Sequence, residues 1–135
     1  MATPPFARAF VEPARQAQLR DLLTAMDAAH DISYHSLLQA TVTVLQDVRG
    51  ADEYSTMDPK RIHDIDDGDY QGTLLFVIAA AGYRPSNYWA TKVSYGSCSS
   101  CDTLDSIRDD SPSGSARVDA YMTLCLHMVQ QIKEV

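Results

Sequence analysis

Residues 73 to 80, Thr-Leu-Leu-Phe-Val-Ile-Ala-Ala, form a continuous apolar run of strand length made largely of β-formers. Such a run predicts a strand covered on both faces, which belongs at the centre of a sheet. An acidic turn, Asp66-Asp67-Gly68-Asp69, precedes it, and residues 82 to 87, with Pro85 among them, make the next turn. From Tyr88 the pattern changes. Trp89, Thr91, Val93 and Tyr95 fall on one face of an extended segment and Ala90, Lys92 and Ser94 on the other, which predicts a half-buried antiparallel neighbour. Arg61 to Ile65 is expected to add a short edge strand. Residues 50 to 60, polar and carrying Gly50 and Pro59, read as a connecting loop.

Helical periods flank this sheet. Pro13 stands where a first helical turn tolerates it, and Leu19, Leu22, Leu23, Met26 and Ala29 mark an apolar stripe over about 12 to 29. After His30-Asp31, Ile32, Leu37, Leu38, Thr41, Val44, Leu45 and Val48 recur at helical spacing until Gly50. The β-branched stretch from Ala40 to Leu45 makes a strand the rival reading there; helix is the choice. The strongest helical period is the last, about 116 to 134, with Val118, Tyr121, Met122, Cys125, Met128, Val129 and Ile132 on one face. The expected fold is α+β: a small antiparallel sheet of two to three strands packed by a long C-terminal helix, with an N-terminal helical hairpin alongside. One domain spans 1 to 135, with residues 1 to 8 as a flexible tail.

The formal net charge of −7 and sequence pI near 4.8 argue against direct nucleic-acid binding, whose affinity comes from clustered Lys and Arg on phosphates. An acidic surface suits a basic protein partner, or simply maintains solubility. No run of about 18 apolar residues predicts a membrane span, and the expectation is a cytoplasmic protein with no membrane partner. Three cysteines, an odd number, default to thiols in a reducing compartment.

Gly96 stops the Tyr88 to Tyr95 strand, and Ser97-Cys98-Ser99-Ser100-Cys101 leads to a short helix, 102 to 108, with Ser100 and Asp102 supplying capping oxygens. A helix N-terminus after such a loop is where reactive thiols or bound anions are held. A dithiol oxidoreductase would add an N-terminal βαβ unit and a proline loop, and neither is present. The bland reading of a bare C-x-x-C is loop packing. A zinc site on Cys98, Cys101 and Cys125 with a distant histidine such as His63 is the metal alternative. Cys125 reads better as a small core residue and His127, two positions on and so about 200° around the helix, as a surface one. Asp64 to Gly72 is not an EF-hand: the sixth position is Asp69 where Gly is needed, and the twelfth is Leu75. No catalytic triad, Walker loop or dinucleotide fingerprint is found. No metal or cofactor is expected.

Gly68-Asp-Tyr-Gln-Gly72 is a second glycine-flanked polar segment. If its following strand pairs antiparallel with Tyr88 to Tyr95, the two motifs meet at one sheet end. The candidate ligand-binding residues are therefore Tyr70, Gln71, Tyr95, Gly96, Ser97, Cys98, Ser99, Cys101 and Asp102, against the bland reading that Tyr70 and Tyr95 cap the core.

Gly68-Asp-Tyr-Gln-Gly-Thr73, the Tyr88-Trp89 strand, Tyr95-Gly-Ser-Cys-Ser-Ser-Cys-Asp-Thr-Leu104 and the closing Leu124 to Ile132 helix resemble segments of small uncharacterised tailed-phage proteins. The likeness covers roughly residues 65 to 134, and a Gly often stands in that family where this chain has Ser100. It implies phage origin and the host-cell cytoplasm, with no activity to carry over. The expected function is a non-enzymatic phage accessory protein, of anti-defence type, that binds and neutralises a host component. That component is a host protein or a nucleotide-like signalling molecule held by helix-terminal N–H groups and a tyrosine. A dithiol or zinc protein centred on the Cys98-Cys101 loop and a virion structural component are the alternatives, and homo-oligomerisation is compatible with each.

Overall fold

The computed structural model describes residues 5–48, 56–66, 72–80, 88–95, 107 and 113–134. In chain order these form α1 (Pro5–Phe10), α2 (Pro13–Ala28), α3 (Tyr34–Leu45), β1 (Met57–Asp66), β2 (Gly72–Ala80), β3 (Tyr88–Tyr95), α4 (Gly114–Gln130) and the two-residue β4 (Lys133–Glu134). The class is α+β, as the patterning predicts. Three long antiparallel strands stand in the order β1-β2-β3, and β4 adds to the far edge of β3.

Each helix begins and ends where local chemistry allows. α2 opens on Pro13, whose missing N–H is no loss in a first turn. It ends in a Schellman motif: His30 N–H donates to the Asp27 carbonyl at 3.1 Å and Asp31 N–H to that of Met26 at 2.9 Å. That motif needs a left-handed residue, and His30, with φ 56°, occupies the place glycine favours. α3 opens on a reciprocal box in which the Ser33 hydroxyl accepts from Ser36 N–H and Ser36 Oγ accepts from Ser33 N–H. The strand-like Thr-Val-Thr-Val stretch is helical, with the Thr41 and Thr43 hydroxyls turned back onto the carbonyls of Leu37 and Gln39. Eight of the twelve residues of α3 are buried, so tertiary packing overrides β-propensity there. On α4, Ser113 caps the start by accepting from Ala116 N–H.

The core lies between the helices and one face of the sheet. Phe76, Ile78 and Ala80 of β2 meet Trp89, Thr91 and Val93 of β3 on that inner face, with Leu37, Leu38 and Leu45 of α3 and Tyr121, Cys125 and Val129 of α4 above them. The apolar face expected for α4 is buried at every named position.

Four expectations need correction. The tail expected over residues 1 to 8 is helical from Pro5, because Phe6 and Phe10 are buried and the Phe6 ring packs edge-on to Trp89 at 5.9 Å. β1 is ten residues long and begins inside the expected loop, a register break between Met57 and Ile62 accommodating Pro59. The C-terminal helix stops at Gln130, and Lys133 and Glu134 turn back to pair with Ala90 and Trp89. β2 gives its inner face to the core, whereas its other face is less completely covered: Ala79 is buried there, but Leu75 and Val77 are half-buried and stand outside the core.

Candidate functional site

The antiparallel register supplies the first piece of geometry. Gly72 pairs with Tyr95, the last pair at that end of β2 and β3, so the Gly68–Gly72 and Gly96–Asp102 motifs leave the sheet from neighbouring strands. That is the juxtaposition the patterning anticipates. Tyr95 is described as the last residue of β3; Tyr70, Gln71, Gly96, Ser97, Cys98, Ser99, Cys101 and Asp102 lie outside the described residues. Of the short helix expected over 102 to 108, Ile107 alone is described; it is helical and packs half-buried against the core.

The outer face of the sheet is the second piece. Opposed residues in an antiparallel sheet share a face, and the register aligns His63, Val77, Ala90 and Lys133 in one row and Ile65, Leu75 and Lys92 in the next. Tyr88, opposite Ala79, completes the face at one corner. Ile65 is 53 % exposed and Tyr88 41 %, two of the most exposed large apolar side chains among the described residues. No described helix lies over them in the core. The pattern arises because Leu74 to Ala80 is apolar at every position, while the described helices cover one side.

A polar cleft between the end of α2 and the start of α4 is the third. Its volume is about 390 Å³, and Asp27, His30, Ile32, Arg117 and Tyr121 line it. Arg117 Nε and Nη2 each lie 3.1 Å from a different carboxylate oxygen of Asp27, although the two residues are ninety positions apart. This hydrogen bonding, then the attraction of the carboxylate, raises the guanidinium above its ordinary pKa. Both partners are engaged with one another, so the cleft's charges are held as a clasp between α2 and α4. The left-handed His30 is accounted for by the Schellman cap at the cleft's rim.

The remaining candidates resolve into packing. Cys125 is fully buried, its thiol directed at the Leu37 carbonyl at 3.8 Å, and burial pushes its pKa up to about 12. A thiol so enclosed is a core residue, as its spacing predicts, and His127 is exposed. His63, the distant histidine weighed beside it for zinc, is exposed on β1. Among the described residues no group of three or more His, Cys, Asp or Glu is placed to hold a metal ion. His35 Nδ1 lies 2.6 Å from Asp64 Oδ1 and its ring meets Phe76 edge-on, which ties the first turn of α3 to β1. Among the described residues no helix is long and apolar enough to cross a membrane.

No protein-family model, curated protein or solved structure matches the chain.

The outer face is the structural feature that sequence patterning missed. A run apolar at every position signals burial on both sides, and only the placement of the helices shows which side the described ones cover.

Proposed function

We propose that the chain is a non-enzymatic accessory protein, of the tailed-phage kind that residues 65 to 134 resemble, which binds a host component and thereby neutralises it. The observation that carries this reading is the outer sheet face, where Ile65 and Tyr88 are exposed beside half-buried Leu75 and Val77. Contiguous apolar area on a rigid sheet favours docking against a macromolecular surface. A host protein is therefore favoured over a nucleotide-like signal as the bound component. The test is capture from host lysate by the tagged full-length chain, with Ile65→Asp and Tyr88→Ser as face variants and unfolding midpoints as a folding control. A host polypeptide retained by the parent chain and lost from folded variants is the expected result. Capture that ignores both substitutions would overturn the protein-docking form.

A second reading rests on the pairing of Gly72 with Tyr95. It is sequestration of a nucleotide-like ligand where the two glycine-flanked motifs leave the sheet, by Tyr70, Gln71, Tyr95 and the Gly96 to Asp102 segment. Native mass spectrometry of protein purified from infected cells separates the two. An excess of several hundred daltons per chain supports the ligand, and a polypeptide mass supports the protein partner.

A further inference from the structure

We infer that the outer sheet face takes a protein partner whose contact patch is aliphatic at its centre and ringed by carboxylates. This rests on the host-binding reading and names the chemistry of its partner. The chain as a whole is acidic, with a formal charge of −7, yet this face has the opposite sign. The register assigns Lys92 and Lys133 to it, with His63 beside Val77, all exposed, and no register-paired residue on it whose side chain is described is acidic; Asp58, in the register break of β1, is paired with Arg61. The chain has three lysines, and two of them are here; the third, Lys60, lies within the register break of β1, between Met57 and Ile62, and has no partner in the register. Exposed acids sit on the helical side instead, at Asp21, Asp31 and Asp119 among others. Asp64, next to His63 along β1, is engaged by His35 of α3.

An apolar centre with a single-sign rim specifies both halves of a partner. Leu75, Val77 and Ile65 require an apolar surface to displace their water. Lysine stems can lie along such a centre while their ammonium groups stay at its solvated rim. There they attract carboxylates and repel cations, which sets orientation and encounter rate more than final affinity.

The other occupants fit less well. Single strands of nucleic acid bind sheets through successive aromatic side chains on which bases stack, whereas this face offers Tyr88 at a corner and aliphatic residues in the middle. A second copy docked face to face about a two-fold axis would bring the cationic rim against itself.

Carbodiimide coupling tests the inference directly, because it condenses a lysine amine with a carboxylate in contact and leaves no spacer. The full-length chain is incubated with host lysate at low salt, coupled, and the isopeptide links located by mass spectrometry. Links from Lys92 and Lys133, and not from Lys60, to Asp or Glu of one host polypeptide are expected. Capture of that polypeptide should fall about tenfold in a Lys92→Glu/Lys133→Glu double variant and decline with added salt. A Lys92→Gln/Lys133→Gln variant, with an intermediate loss, checks that the effect is charge and not misfolding. Retention of a host polypeptide through Lys60 alone, or with no response to charge reversal, overturns the inference while the host-binding reading stands. A nuclease-sensitive captured species, or links between copies of this chain through Lys92 or Lys133, also overturns it. Absence of any captured host component overturns both.

Discussion

Thr91 Oγ1 donates to the Met128 carbonyl at 2.8 Å, a fully buried bond that fastens the middle of β3 to α4. The same carbonyl accepts the Gln131 N–H that closes the helix, so loss of the hydroxyl leaves the acceptor satisfied. Thr91→Val, which keeps the shape and removes the donor, should therefore cost only about 1 kcal/mol. Urea denaturation followed by the fluorescence of Trp89, the single tryptophan, measures it. A loss several times larger would mean that the hydroxyl organises more than this bond.

His30 sits at φ 56°, where an L side chain is strained by about 1 kcal/mol or more. Removing the side chain relieves that strain, while the unfolded chain gains freedom that offsets part of the gain. His30→Gly should raise stability by up to about 1 kcal/mol, and His30→Val should lower it. Thermal unfolding of the pair decides, and a destabilised glycine variant would show that the imidazole makes contacts the cap does not need.

Cys125 stays protonated in the fold to about 12, against an ordinary 9.0. The unfolded chain loses that proton first. The stability tied to the buried neutral thiol is thus complete below pH 9 and is lost as pH rises from there through the folded value. At pH 10 the loss is about 1.4 kcal/mol relative to pH 8, and Cys125→Ala should remove that component from the alkaline decline. Urea midpoints of both proteins at the two pH values check it; equal declines would contradict the burial.

The Phe6 ring meets Trp89 at 5.9 Å and 90°, and Phe6 is 3 % exposed. Phe6→Ala should destabilise by about 3 kcal/mol, the usual cost of emptying a buried aromatic site. The emission of native Trp89 should also shift to longer wavelength. A near-neutral substitution would return α1 to the status of a loose tail.

Arg15 bonds the Val44 carbonyl and Asp47 Oδ1, each at 2.6 Å, which anchors the end of α3 to α2. The guanidinium holds the Asp47 carboxyl below its ordinary range, chiefly by hydrogen bonding. Asp47 is largely exposed, so its share is small and salt-screened. Asp47→Ala should cost no more than about 0.5 kcal/mol and nothing measurable at high salt, whereas Arg15→Ala, which also strands a carbonyl, should cost more. Denaturation midpoints at low and high salt distinguish the two roles.

Periodicity determined much of this molecule on its own. The stripe Val118, Tyr121, Met122, Cys125, Met128, Val129 names the buried face of α4, because helix geometry ties sequence spacing to direction. The apolar run of β2 and the alternation of β3 likewise predict an antiparallel pair, and with it the meeting of Gly72 and Tyr95. Where two local preferences compete, the sequence is silent. The Thr-Val-Thr-Val stretch of α3 serves either a strand or a helix, and burial on nearly every side decided for helix. α1, six residues long, is too short to show a period, and it exists because Trp89 of β3 gives Phe6 a partner. No spacing rule connects Asp27 to Arg117, which only the packing of α2 on α4 brings together. Above all, strand patterning states which residues are apolar and not which side of a sheet a helix will cover. The described helices pack on one side, which leaves exposed Ile65 and Tyr88, with half-buried Leu75 and Val77, on the other.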